Sequence, residues 1–266
     1  PARAYTLYWA DPASASGIDY DLYIFDAAGQ NLMLFSDDIQ DGNDNPYEVV
    51  DTLGSPVGDT LNMQIVVAKY EATDPDVFFH VSASDGGKLQ YRTQGRIRGH
   101  AAAENAFAIA AVNAAGNTST FLSTDHVETY SADGPRRVFF DAAGNALTPG
   151  NFTSTGGNVR SKPDFAAADN VKTVTINPFD GTSAAASHAA GVGAILLSAK
   201  SSLTLTQVKS ALIQGSLDIE AAGWDVNSGW GIPLVNRALA AIGIPAPPPR
   251  KNTSYLPAVY LPLILN

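Results

Sequence analysis

The run GTSAAASHAAGVGAILLSA, from Gly181 to Ala199, restricts the fold more than any other part of this chain. After Thr182 it carries small and aliphatic residues, with no proline and no charge before Lys200, so the helix it predicts is apolar on every face. Such a helix belongs inside a domain. Gly191 and Gly193 each cost about 1 kcal/mol of helix propensity relative to alanine, which implies a neighbouring element packed against the backbone there. A membrane span is the competing reading. It is disfavoured because the apolar run is about 17 residues at most, with Ser187 and His188 inside it, against the ~20 needed to cross a bilayer.

Ser183 stands where this helix starts. A serine there can cap the helix, its hydroxyl accepting from a backbone N–H two or three residues on. Alternatively, the orphan N–H groups and positive dipole end of the helix stabilise an oxyanion formed beside Ser183, as acyl transfer requires. The local pattern alone favours the cap.

Residues 5 to about 93 have a different texture. The short runs AYTLYWA, YDLYIFDA, LNMQIVVAKY and DVFFHVSA are separated by glycine, proline, asparagine and aspartate clusters, the pattern of a small all-β sandwich. Alternation puts Leu22 and Ile24 on one face and Tyr23 and Phe25 on the other. Asp19, Asp21, Asp37, Asp38, Asp41 and Asp44 could supply oxygens to a structural calcium ion, which takes six to eight. Such loop aspartates are more often turn residues or solvated charge.

Beyond residue 93 the pattern is α/β. A strand is expected at 106 to 112, then a polar connection, a hairpin through RVFFDAAGNALTPG with a turn at DAAGN, and a strand into KTVTI. A second helix over 205 to 214 carries a capping box, Thr204 with Gln207 three residues on. Pro233 opens a last helix and Gly243 closes it. IPAPPPRKNTS reads as an extended linker, and YLPAVYLPLILN is an apolar tail too short to span a bilayer.

Several further segments bear on function. Around Ser183, the residues Gly181, Thr182, Ser183, His188, Ala190 and Gly191 resemble the nucleophile signature of the subtilisin-like serine peptidases, the subtilase family, with Ser187 standing where that family has proline. KPDFAAADNV at 162 to 171 resembles its lysine, proline and aspartate segment. YSADGP at 130 to 135 resembles its glycine-proline turn, AENAFAIAAVNA at 103 to 114 the strand ahead of that turn, and NSGWGIPLVNRALA at 227 to 240 its closing segment. The resemblance implies a fold of class α/β: a partial subtilisin-like parallel-sheet domain over 94–243, preceded by a β-sandwich accessory or insert module over 1–93 and followed by a linker and tail over 244–266. In some bacterial relatives a β-sandwich is inserted just ahead of the AFAIAAV strand.

The same resemblance implies a serine endopeptidase in which Ser183 is the nucleophile and Thr182 and the Ser183 N–H support the oxyanion turn. Gly99, His100 and Ala101 resemble one wall of the pocket for the residue before the scissile bond. A serine needs a base and an orienting carboxylate, and the family's aspartate, histidine and oxyanion-asparagine motifs are not in this sequence. His80 reads as a strand residue, His100 as a loop residue, His126 as solvated and His188 as packed, five residues after Ser183 on one helix. The partners of Ser183 are therefore expected from an upstream part of the same catalytic domain, and this chain alone is expected to be inactive. Two alternatives stay open: an inactive relative kept for binding, or a β-sandwich binding module on a peptidase-like scaffold.

The chain's 266 residues suffice for one large or two modest domains. The absence of cysteine excludes disulfides, thiolate zinc sites and cysteine catalysis. A net charge of −10 disfavours nucleic acid as a partner. The resemblance further implies that no cofactor is required for the chemistry, that the substrate is protein or peptide, and that the location is extracellular or at the cell surface.

Overall fold

The computed structural model describes residues 4–51, 62–84, 88–114 and 120–245. They divide into two units, Pro1–Thr93 with Arg137–Val159 and Gln94–Arg136 with Arg160–Asn266. The expected linker and tail lie, from residue 246 onward, outside the described residues.

In the first unit, β1 (Ala4–Trp9) runs antiparallel between β4 (Tyr47–Asp51) and β6 (Phe79–Ala83). In a second sheet, β2 (Tyr20–Phe25) runs antiparallel between β3 (Leu32–Ser36) and β5 (Gln64–Lys69). Leu7 and Trp9 of β1 and Leu22 and Ile24 of β2 share one buried core, while Tyr23 and Phe25 are half-buried on the opposite face of β2. The alternation in YDLYIF is thereby resolved. β3 and β4 go beyond the strands read from sequence. The pattern of β4 is disguised because the inward positions are Glu48 and Val50, and a glutamate in a core position looks like a surface residue. Glu48 is nonetheless buried, accepting from the Ser36 hydroxyl and from Gln40 Nε2.

The stretch Arg137–Val159, read from sequence as part of the 94–243 region, packs in the first unit instead. Phe139 enters its core, Phe140 and Phe152 stack on each other there with ring centroids 5.2 Å apart, and Phe78 N–H donates to the Phe152 carbonyl. The stretch lies between β8 (Arg136–Val138) and its partner β9 (Asn158–Arg160). The DAAGN turn forms as expected, with Asp141 Oδ1 accepting from the N–H groups of Ala143 and Asn145 and Gly144 at φ 81°. A bond from the Asn145 side chain, followed by these backbone bonds, holds the Asp141 carboxyl below its usual range.

The second unit is built on a parallel pair, β7 (Ile109–Asn113) and β10 (Phe165–Asp169), aligned from Phe165 opposite Ile109 to Asp169 opposite Asn113. Both faces of the pair are covered, as parallel sheet requires. Ala111 and Ala167 pack under Ala185 of α1 (Thr182–Ala199). Ala110, Val112 and Ala166 face Ile219 and Ile232. Phe165 joins Leu196 of α1 with α2 (Leu205–Gly215) and α3 (Val235–Ala241) in a third cluster. Alongside β10, the short strands β11 (Ser216–Leu217) and β12 (Ile232–Pro233) pair, and Ala166 N–H donates to the Gly231 carbonyl.

Three expectations are corrected. KTVTI is not a strand: Thr173 and Ile176 close a small turn on each other and Val174 is 94% exposed. Its β-branched residues favour extended backbone, but among the described residues no strand forms over 172–176, and β-propensity alone does not make one. Pro233 lies in β12, and α3 starts after Leu234. Gly193 has open space where a Cβ would sit, so no element packs on it, whereas Gly191 is buried. The capping box of α2 forms as read, Thr204 Oγ1 accepting from Gln207 N–H and Gln207 Oε1 from Thr204 N–H.

The glycine-proline turn at 130–135 has a steric origin. A Cβ on Gly134 would lie 1.5 Å from the Lys162 carbonyl oxygen, so the turn and the KPD segment touch backbone to backbone. Gly134→Ala is expected to destabilise the second unit by at least about 3 kcal/mol, the upper range for forced overpacking. A denaturation midpoint unchanged from wild type would refute that contact.

Candidate active site

Ser183 is exposed in the first turn of α1. The cap reading fails. The residue at the N-cap is Gly181, with φ 99° and ψ 166°, and no side chain caps the helix. The φ of Gly181 falls where a side chain would be strained. The N–H groups of Ala184 and Ala185 turn back to the Gly181 carbonyl at 2.9 and 3.3 Å, which closes the first turn without using the hydroxyl. Among the described residues, neither the Ser183 hydroxyl nor its N–H has a hydrogen-bond partner within the chain. An exposed hydroxyl beside free N–H groups at the positive end of an 18-residue helix is an arrangement in which an alkoxide or oxyanion is stabilised.

The support under Ser183 is made of small side chains. Ala184 packs with Ala114 and Val171, and Ala185 with Ala111 and Ala167, so the helix start lies close on β7 and β10. Alanines let a helix approach a strand more closely than leucine or valine would. The outer side of α1 is a different matter: Ile195 and Leu197 are 41% and 42% exposed. By length and composition α1 could also cross a membrane, although Ala184, Ala185, Gly191 and Leu196 are buried against the second unit.

None of the four histidine rings is hydrogen-bonded to Ser183. His188 Nδ1 meets the Ala184 carbonyl at 2.8 Å, one turn back on its own helix; a carbonyl only accepts, so this nitrogen carries the proton. His126 Nδ1 lies 3.3 Å from Glu220 Oε1. His80 stacks on Tyr8 at 5.3 Å between ring centroids. His100 is exposed in a single turn of 3-10 helix, Gly99–Ala102, where Gly99 has φ 60°. Arg160 Nη1 donates to the Ala102 carbonyl at 2.8 Å and fixes that turn. Thr182 is exposed beside Ser183.

Sequence reading missed a charged network at the start of β10. Asp164 is 1% exposed and accepts from three donors: Lys162 Nζ at 2.7 Å, Lys209 Nζ at 2.8 Å and Ala108 N–H at 2.9 Å. Lys162 also donates to the Ala106 carbonyl. The NSGWG segment closes on the backbone of the same residue, with Trp230 N–H donating to the Asp164 main-chain carbonyl and a Cβ on Gly229 falling 2.4 Å from that carbonyl. At the other end of β10, Asp169 is also buried, with Oδ2 accepting from the Tyr130 hydroxyl. Burial, then that bond, push the Tyr130 phenol up. Only the KPD spelling pointed to Asp164; Lys209 is 45 residues away and carried no signal.

The acidic candidates in the first unit separate. Asp19 and Asp21 are buried, whereas Asp37, Asp38, Asp41 and Asp44 are exposed. Among the described residues no three acidic or histidine side chains converge in a metal-holding group.

A family model described as the subtilase family matches residues 31–231. No curated protein matches the chain.

Proposed function

Since the chain belongs to the subtilase family, a family of serine peptidases, we propose that Ser183 is its nucleophile and that the reaction is acyl-enzyme hydrolysis of peptide bonds. The observation that carries this reading is the Ser183 hydroxyl, exposed at the start of α1 and unused in capping. In the first step Ser183 Oγ bonds to the scissile carbonyl carbon while its proton passes to a base. The resulting oxyanion is held by the Ser183 N–H and a further donor. Collapse releases the amine with that proton and leaves an ester on Ser183, which water cleaves by the same steps. Thr182 supports the turn that holds the hydroxyl.

The base, its orienting carboxylate and the second oxyanion donor are proposed to come from residues outside this sequence, in the upstream part of the same catalytic domain. Two observations support this. The four histidines are engaged elsewhere or lie apart from the Ser183 hydroxyl in the hydrogen-bond pattern, and α1 keeps large apolar residues exposed on its outer side. The substrate is a protein or peptide, and the enzyme acts outside the cell or at its surface. The first unit, two three-stranded antiparallel sheets around one core, is proposed to be a β-sandwich accessory module, and the Gly99, His100 and Ala101 turn one wall of the specificity pocket.

A fluorophosphonate probe tests the assignment. It is expected to modify Ser183 in protein that includes the upstream part, and to leave the 266-residue chain unlabelled. Equal labelling of both would place a base within this sequence. No labelling of the longer protein would favour an inactive relative kept for binding.

A further inference from the structure

The chain leaves β10 at Asp169, at the carboxyl end of the parallel pair, and comes back to the same end to start α1. Phe179 N–H donates to the Val171 carbonyl at 2.8 Å, and Val171 N–H to the Phe179 carbonyl at 3.2 Å. This closure sets Asp180, and after it Ser183, beside the strand ends, where Ala184 packs with Ala114 and Val171. In open α/β sheets, ligands bind outside the carboxyl ends of the strands. Here that end carries an exposed tyrosine backed by a buried acid. Tyr130 is 48% exposed, whereas Asp169, which accepts from the Tyr130 hydroxyl through Oδ2, is 1% exposed. Among the described residues Asp169 Oδ1 has no hydrogen-bond partner, so the phenol leaves the charge of this carboxylate incompletely balanced.

The bond to Asp169 fixes what Tyr130 can offer. A phenol has one proton to donate, and Tyr130 gives it to Asp169, so toward solvent its oxygen is an acceptor. The exposed ring beside it is apolar surface on which the aliphatic stem of a long side chain can lie. Burial first, then the Asp169 bond and charge, then the charges of Glu128 and the exposed Asp180 push the phenol up. Glu128 is itself held by Asn113, whose Nδ2 donates to its Oε1 at 3.1 Å. An acceptor oxygen, an apolar ring and three nearby carboxylates suit a long cationic side chain and repel an anionic one. Among the described residues these acids do not converge as a metal-holding group, which leaves a cation carried by the substrate. Resting on the reading of Ser183 as the nucleophile, we propose that Tyr130, positioned by Asp169, forms a subsite for a lysine or arginine side chain flanking the scissile bond.

Two measurements test this. In the first, protein that carries the proposed upstream partners cleaves a mixed peptide library, and the new chain ends are read by mass spectrometry. Lysine and arginine are expected to be enriched over leucine by about tenfold at one position flanking the cut, the low end for a hydrogen bond to a charged group. Tyr130→Phe, which keeps the ring and removes the acceptor, and Asp169→Asn, which removes the charge behind it, are each expected to abolish that enrichment. Cleavage that stops in Ser183→Ala yet shows no preference for basic residues would overturn the subsite and leave the nucleophile standing. The second measurement needs no turnover. Calorimetric titration of the 266-residue chain is expected to show acetyl-arginine amide binding about tenfold more tightly than its neutral isostere, acetyl-citrulline amide, and Tyr130→Phe is expected to remove the difference. Equal affinities in the wild-type chain would overturn the subsite whether or not peptides are cleaved. If Asp169→Asn fails to fold, Tyr130→Phe decides, because its ring preserves the packing.

Discussion

Ser183→Ala, made in protein that carries the proposed upstream aspartate, histidine and asparagine partners, is expected to lower kcat by about 10⁶-fold. That is the size of the loss when the nucleophile of subtilisin is removed. Stability is the necessary second readout. A serine that capped α1 would cost about 1 kcal/mol on replacement by alanine, but the N-cap here is Gly181 and, among the described residues, the Ser183 hydroxyl has no partner. The melting temperature should therefore stay within the range of surface substitutions, about 0.5 kcal/mol. Ser187→Ala is the neighbouring control: its hydroxyl only returns to the Ser183 carbonyl at 2.9 Å, so kcat is expected to change by less than about tenfold. Persistent turnover in Ser183→Ala would end the nucleophile assignment, and a large loss of stability in place of activity would restore the structural one.

What could be read from the residues, and what could not, follows from the range of the forces involved. The capping box of α2 was legible because Thr204 and Gln207 satisfy each other within one turn. The strands of the first unit were legible where apolar residues alternate, as in YDLYIF, and illegible at β4, where Glu48 occupies an inward position through bonds to Ser36 and Gln40. In the second unit propensity misled. The central strands read IAAVN and FAAAD, rich in a residue that disfavours strands, because what they need is close approach by α1. KTVTI has the right residues, yet Thr173 and Ile176 close a turn on each other instead. The allocation of 137–159 was hidden for a similar reason: its phenylalanines mark an apolar contact but not which core receives it. Ser183 stood out only through its family-like neighbours, since the same local pattern fits a cap.

The larger structural effect is expected at Asp164. Its carboxylate is the counter-charge of Lys162, whose ammonium is as buried as the acid itself, and the acceptor for Ala108 N–H. Asp164→Ala leaves a buried cation and a buried N–H unpaired, for which the expected loss is about 3–5 kcal/mol. Lys209 bonds the same carboxylate from a side chain 39% exposed. Water screens that partner, so Lys209→Met should cost under about 1 kcal/mol. If Lys162 and Asp164 matter as a pair, Lys162→Met with Asp164→Leu should recover much of the loss, since well-packed apolar pairs can replace buried ion pairs. Denaturation followed by hydrogen exchange at the amides of residues 166–168 reads β10 directly, independently of the first unit. Equal effects for Lys209→Met and Asp164→Ala would mean that burial does not set the strength of these contacts. The consequence reaches the proposed nucleophile, because Asp164 anchors the start of the strand whose Ala167 supports Ala185. A milder variant, Asp164→Asn, which keeps an acceptor for Ala108 but not the charge, should therefore lower kcat, measured in protein that carries the proposed upstream partners, by loosening the support beneath Ser183, with KM little changed.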